Sequence, residues 1–280
     1  MPKEVRTDAE CDVIAVELTV DGALVVADRL HMTDFPPVLG IRGNIPQLEL
    51  RDIVWERVAR DLTAQGVLDV FGVPHPEVAV MVDAVSRADR TLEGRWWRRA
   101  DGGEMLRFAL CRRGERHVIA VRAGDMLVLQ RIAQRVGLAG MVTAVLGAAA
   151  AADVEPLTGV ASKLGSSTTA SQLTQFGVGS ASAQRYAEAV AAPSSWVEIT
   201  ANERHPGGTH TRAEVAAGVL DSRHGRIVSI PRRVNGVLYG SFLSGTAENL
   251  QRALDGLMEF LPSKSWFEEN SIDFDTRDLD

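Results

Sequence analysis

The feature that most constrains this 280-residue chain is a change of hydrophobic period that happens twice. From Arg90 onward the apolar residues stop recurring at helical spacing and begin to alternate. Four short segments, Arg90 to Arg99, Glu104 to Arg112, His117 to Arg122 and Met126 to Arg131, are separated by Asp101-Gly102-Gly103, Arg113-Gly114 and Ala123-Gly124. Alternating segments joined by glycine turns read as antiparallel strands in a meander. The second half does the same with Ser195 to Glu203, Thr209 to Leu220, Arg226 to Ile230 and Val237 to Phe242. Its turns are Pro206-Gly207-Gly208, His224-Gly225 and Asn235-Gly236. Gly114 and Gly225, and Met126 and Val237, share one offset of 111 residues. Two readings are open: a duplication, or a coincidence of glycine-rich turns.

Helical spacing fills the rest. A first strand, Val13 to Val20, leads into a short helix from Ala23 to His31. Leu50, Ile53, Val54, Val58 and Leu62 recur on one face between Leu48 and Gln65. Pro76 opens a helix carrying Val78, Met81, Val82 and Val85. Leu138, Met141, Val142 and Val145 give another, and helical segments fall within Asp153 to Ala192. A last helix, from about Thr246 to Leu261, has the stripe Leu250, Ala253, Leu254, Leu257 and Met258, with Pro262 to stop it. The expected fold class is α/β of the α+β type, with a central antiparallel sheet and a pseudo-two-fold internal repeat.

Side chains alternate between the faces of a strand, so parity sorts them. Leu92 and Trp96 share one face of the first meander strand, while Arg95, Trp97 and Arg99 share the other. Leu106, Phe108 and Leu110 read as core, opposite Met105, Arg107 and Cys111. Val197 and Ile199 read as core, opposite Trp196, Glu198 and Thr200. Tryptophan and arginine are enriched in binding hot spots. The second face is therefore either an uncovered partner surface or a core packed under further helices.

Composition excludes several classes. A net charge of −7 disfavours sequence-independent binding of nucleic acid. The longest apolar stretch, Val136 to Ala152, is too short and alanine-rich for a membrane span. The first twelve residues lack a secretory apolar core. Two cysteines, Cys11 and Cys111, suit reduced thiols in a cytoplasm. No phosphate loop, dinucleotide fingerprint, nucleophile elbow, Cys-x-x-Cys or His-Glu-x-x-His occurs. Glu203, His205 and His210, with Glu214 nearby, are the best candidates for a metal site and hence for a metal-dependent enzyme. Ordinary surface histidines on a hairpin are the simpler reading. Asp221, Ser222 and His224 lie too close on one turn to form a catalytic triad.

Longer strings carry a resemblance. Val16-Glu17-Leu18-Thr19-Val20-Asp21-Gly22, Phe35-Pro36-Pro37-Val38-Leu39, Cys111-Arg112-Arg113-Gly114-Glu115-Arg116-His117 and His205-Pro206-Gly207-Gly208-Thr209 occur in order. With Ala217-Gly218-Val219-Leu220-Asp221-Ser222-Arg223-His224-Gly225-Arg226 they resemble the EspG family, secretion-associated chaperones of mycobacterial type VII (ESX) systems. Asp52-Ile53-Val54-Trp55-Glu56 and Arg90-Thr91-Leu92-Glu93-Gly94-Arg95-Trp96-Trp97-Arg98-Arg99 look nearest to the branch of the first ESX system. The resemblance implies a central antiparallel sheet with two helical bundles and no cofactor. It implies cytoplasmic binding of a PE–PPE heterodimer at the hydrophobic PPE tip, which keeps that cargo soluble for export. Family contacts come from the sheet, the loop after its first meander strand (Arg98 to Glu104 here) and the C-terminal helical region. Parity within those regions selects Arg95, Trp97, Arg99, Asp101 and Arg107, with Trp196, Glu198 and Thr200 from the second repeat. The expected layout is a flexible stretch 1–11, one domain over 12–262 made of repeats 12–150 and 151–262, and an acidic flexible tail over 263–280. A structural subunit of a cytosolic assembly is the remaining alternative, and the oligomeric state is open.

Overall fold

The computed structural model describes residues 15–43, 47–102 and 105–267. The expected stretch 1–11, Cys11, Glu104 and the tail from 268 onward lie outside the described residues.

Strand β1 (Ala15–Thr19) runs directly into helix α1 (Val20–Arg29). The Thr19 side-chain oxygen accepts from the Gly22 amide at 2.9 Å, and this cap starts the helix at Val20 rather than at the expected Ala23. Helices α2 (Leu48–Ala64) and α3 (Pro76–Ser86) follow as read. The first meander is β2 (Arg90–Arg98), β3 (Met105–Arg113), β4 (Arg116–Ala123) and β5 (Met126–Ile132), closed by α4 (Leu138–Leu146). The second half begins with β6 (Leu157–Val160), then α5 (Ala161–Gly165), α6 (Ala170–Leu173) and α7 (Ser180–Ala191). Strands β7 (Ser195–Arg204), β8 (His210–Arg212), β9 (Ala217–Ser222), β10 (Gly225–Val234) and β11 (Val237–Ser244) lead to α8 (Ala247–Met258).

Two expectations change here. The strand β6 lies where only helix was expected, because four residues are too few to show a period and the strand exists by pairing with β11. The segment read as one strand from Thr209 to Leu220 is two, β8 and β9, both paired to β7.

All strands form one antiparallel sheet in the order β1-β5-β4-β3-β2-β7-β9-β10-β11-β6, with β8 paired to the C-terminal end of β7. The order reads the same from both ends when β1 is matched to β6, β5 to β11, β4 to β10, β3 to β9 and β2 to β7. That order is the pseudo-two-fold arrangement expected from the paired turns. Gly94 pairs with Ile199 across the β2–β7 junction, and their separation of 105 residues equals that between Gly102-Gly103 and Gly207-Gly208. The pseudo-two-fold axis therefore passes through this pair. A Cβ at Gly94 would sit 2.0 Å from the Phe108 ring, so glycine is what lets that buried ring lie across the middle of the sheet.

The sheet is covered unequally. On one face a single core joins Leu92, Trp96, Phe108, Leu110, Val197 and Ile199 to the inner stripes of α4 and α8. Burying each of Leu250, Leu254 and Leu257 contributes about 1.5–3 kcal/mol. On the other face two separate cores form. One packs α1 to α3 on Leu18, Ala109, Cys111, Val118, Ala120, Leu127 and Leu129. The other packs α5 to α7 on Leu157, Ile227, Leu220 and Phe242. Neither core takes in the central strands, so on that face of β2 and β7 Arg95 and Glu198 are exposed and Trp97 and Trp196 half-buried, while Thr91 and Glu93 further along β2 are buried.

The C-terminal end also departs from expectation. The helix α8 stops at Met258, ahead of Pro262, and Ser263 to Phe267 are not tail-like. The Glu203 carboxylate accepts from the Ser263 amide at 3.0 Å, and Arg112 and Arg90 donate to the Trp266 carbonyl at 2.6 and 2.8 Å. Trp266 is 3 % exposed, and its indole N–H donates to His117 Nε2 at 3.0 Å. His117 is thus held as the neutral ring, with Nδ1 facing the Glu115 carbonyl. Burial depresses its pKa to about 4, against the Glu115 carbonyl and with help from Arg112. The unfolded chain takes up this proton first, near pH 6.5. The stability this ring contributes is whole above that pH and is lost as pH falls toward about 4. The expected loss is up to about 3 kcal/mol. Urea unfolding at pH 7 and pH 4.5 measures it, and His117→Gln, which still offers Trp266 an acceptor, should flatten the difference.

Candidate protein-binding face

The uncovered face is set by strand register. Trp97 of β2 lies between Met105 of β3 and Trp196 of β7. One step along, Arg95 lies between Arg107 and Glu198, and Arg107 is in turn opposite Arg122 of β4. A further step places Glu93 opposite Thr200. Two bands result: an apolar one of Met105, Trp97 and Trp196, and beside it a row of three arginines ending at Glu198.

Arg95, Arg107 and Glu198 are exposed, whereas Trp97, Trp196, Met105 and Thr200 are half-buried. The tryptophans are therefore neither core nor freely solvated. Gly218 stands opposite Glu198 on β9, and its missing side chain keeps the floor shallow there. Thr200 accepts from Arg212 of β8 at 3.4 Å. Glu93 is buried, and desolvation pushes its carboxyl up while Arg212 and Arg95 pull it back. Arg122 is fixed by three carbonyls: Gly124 at 2.9 Å, and Leu39 and Gly40 each at 2.7 Å.

Of the residues singled out in the sequence, Arg95, Trp97, Arg107, Trp196, Glu198 and Thr200 come together on this face. Arg99 does not. The strand ends at Arg98, and Arg99 sits in a 3-10 turn, where it donates to the Pro193 carbonyl at 3.2 Å. Parity fails there because alternation holds only while the backbone is extended. Asp101 closes the same turn, and its side chain lies outside what is described. Parity on single strands missed Arg122, yet a signal was available. A tight turn at Gly114-Glu115 fixes the β3–β4 register and sets Arg107 against Arg122.

The enzyme candidates are dispersed. Glu203 binds the Ser263 amide, His205 Nε2 faces the Thr211 hydroxyl at 2.7 Å, and Glu214 pairs with Arg233 at 2.7 Å. Among the described residues, no group of three or more His, Cys, Asp or Glu side chains could hold a metal ion. Asp221 is paired with Arg226 and His224 with Glu188. Hydrogen bonds from Gln184, Arg223 and His224 hold the Glu188 carboxyl at about 2. Among the described residues, no helix is long and apolar enough to cross a membrane.

The fold and this face define a two-fold-repeated α+β protein that presents the open centre of a large antiparallel sheet. The EspG family model matches residues 19–256, and the chain belongs to that family. It is 69% identical over 257 residues to the ESX-1 secretion-associated protein EspG1 of Mycobacterium marinum, covering 92% of each chain. It is 66% identical over 266 residues to EspG1 of Mycobacterium tuberculosis, covering 95% of this chain and 94% of that one. The ESX-3 secretion-associated protein EspG3 of Mycolicibacterium smegmatis is more distant, at 29% over 277 residues. Among solved structures, the type VII secretion system chaperone EspG5 of Mycobacterium tuberculosis, in complex with the PE25–PPE41 dimer, shares the fold. Its TM-score is 0.72 at 17% identity, covering 90% of this chain and 98% of that one.

Proposed function

We propose that this protein is a cytoplasmic chaperone of ESX secretion that binds a PE–PPE heterodimer through the open face of β2 and β7. It grips the hydrophobic PPE tip, keeps the dimer soluble and releases it for export, and it carries out no catalysis. The observation that carries the reading is the half-buried Trp97–Trp196 pair, which belongs to neither helical core of that face. Support comes from relatives named for ESX-1 secretion and from a structural neighbour solved with a PE–PPE dimer.

The physics required is that of an ordinary reversible interface. Two helix ends with apolar side chains self-associate when bare, and covering about 800 Å² per partner is typical of specific complexes. Flat aromatic rings supply contact area at little entropic cost. Charge at the rim selects the partner and register.

The test is co-expression with PE–PPE pairs encoded beside the gene, followed by size-exclusion chromatography with mass detection. A one-to-one-to-one complex is expected. Trp97→Ala should weaken it by about 2 kcal/mol, roughly thirtyfold, as for a central aromatic contact. A complex formed equally well by Trp97→Ala and Trp196→Ala would move the interface off this face. A chain that binds no such pair would remove the reading altogether.

A further inference from the structure

We infer that Arg107 and Arg122 form a receptor for a carboxylate side chain carried by the partner protein, set beside the apolar band. The inference rests on the partner reading above and adds the chemistry by which the partner is registered on the sheet.

Three observations carry it. First, Arg95, Arg107 and Arg122 are direct cross-strand neighbours on one face. Like charges directly opposite each other destabilise a sheet, so the row sits at odds with folding alone. Glu198 and Glu93 flank only its Arg95 end. Arg107 has an arginine on each side, and Arg122 has Leu127 beyond it. Second, Arg122 is preorganised. Its Nε and Nη1 donate to the carbonyls of Gly124, Leu39 and Gly40, which locks the guanidinium plane and leaves its Nη2 hydrogens to a ligand. Third, there is room. A cavity of about 290 Å³ is lined by Met105, Arg107, Arg122 and Gly124. Gly40, in the left-handed region at φ 59°, packs against both arginine side chains. A Cβ there would lie 2.5 Å from Arg107 Nη1 and 3.3 Å from Arg122 Nη1, so the two guanidiniums meet at this glycine.

Arg107 makes no hydrogen bond with any described residue and stands over this cavity beside Met105. A fixed guanidinium next to an uncommitted one matches a planar two-oxygen anion better than a single lysine would. The adjoining Met105–Trp97–Trp196 band calls for apolar neighbours. The partner segment is therefore an aspartate or glutamate flanked by apolar side chains on a protein surface, which excludes free phosphate as the intended occupant.

Two experiments separate this inference from its parent. In the first, the chain alone is titrated with N-acetyl-aspartate methylamide at constant ionic strength, and the arginine Nε–H resonances are followed by NMR. Saturable shifts at Arg107 and Arg122 are expected, absent with the asparagine analogue and lost at Arg122 in Arg107→Gln. No shift, or the same shift with chloride, overturns the inference. In the second, PE–PPE binding is compared between wild type and Arg107→Glu, whose melting temperature should hold or rise, because the change replaces two like-charge neighbours by two opposite-charge ones at an exposed site. A loss of about tenfold or more is expected. Equal binding by Arg107→Glu, with loss in Trp97→Ala, keeps the chaperone reading and sinks the carboxylate receptor. If the wild type binds no PE–PPE pair, the chaperone reading fails, and the aspartate titration alone decides the receptor.

Discussion

Replacing Trp266 by alanine is expected to cost about 3–5 kcal/mol of folding stability, the range for emptying a large buried aromatic site. The residue lies beyond the last helix, where sequence reading expects solvent, yet it is 3 % exposed and belongs to the core under α4 and α8. Its carbonyl is held by Arg112 and Arg90 and its ring N–H by His117. The Phe267 ring also lies tilted against His117, with ring centroids 5.8 Å apart. Truncation therefore leaves a cavity and removes the donor to a buried imidazole. Thermal unfolding should shift down by roughly 6–15 °C. Trp266→Phe, which keeps most of the volume but loses the N–H, should cost about a third as much. A drop below about 1 kcal/mol for Trp266→Ala would mean that Ser263 to Phe267 dock weakly in solution.

A comparable loss is expected for Arg226→Ala. Arg226 joins the two halves. Its guanidinium takes both Asp221 oxygens at 2.7 and 2.9 Å and reaches the Gly147 carbonyl at 3.0 Å. Its backbone bonds Ala150 and Ala152 in the segment that leads from α4 into β6. The side chain is 4 % exposed, so removing it leaves the partly buried Asp221 carboxylate with the Ser195 hydroxyl at 3.1 Å in place of its cation and takes the donor from the Gly147 carbonyl. Breaking such a pair from one side typically costs about 3–5 kcal/mol. The double variant Arg226→Met with Asp221→Leu should recover much of that, because the penalty comes from the orphaned charge rather than from a lost attraction. Denaturant unfolding of both single variants and the double variant measures this coupling. Additive losses would show that the pair acts through separate contacts.

Much of the architecture was legible without coordinates, for identifiable reasons. Alternation from Arg90 onward and the glycine turns located the first meander to within a residue or two. The α8 stripe Leu250, Leu254 and Leu257 named the side of that helix that is buried. The 111-residue offset announced the repeat. Parity named six residues that the sheet does bring together. What escaped was non-local. The short β6 has no period and exists through its partner. Arg99 left the face because the strand stopped. Trp266 became core only because Arg112, His117 and Glu203, all distant in sequence, meet its segment.

The sequence by itself determined most of the elements and carried the signals of the repeat and the family, since hydrophobic period, turn residues and ordered strings are local properties. Whether the central face would be open was a tertiary decision. The same alternation serves a strand buried on both faces and one buried on one. Only the placement of α1 to α3 and α5 to α7 over the outer strands left Arg95 and Arg107 exposed and Trp97 and Trp196 half-buried at the centre. Register then decided which side chains became neighbours, because cross-strand contact depends on pairing between chain segments that no single segment encodes.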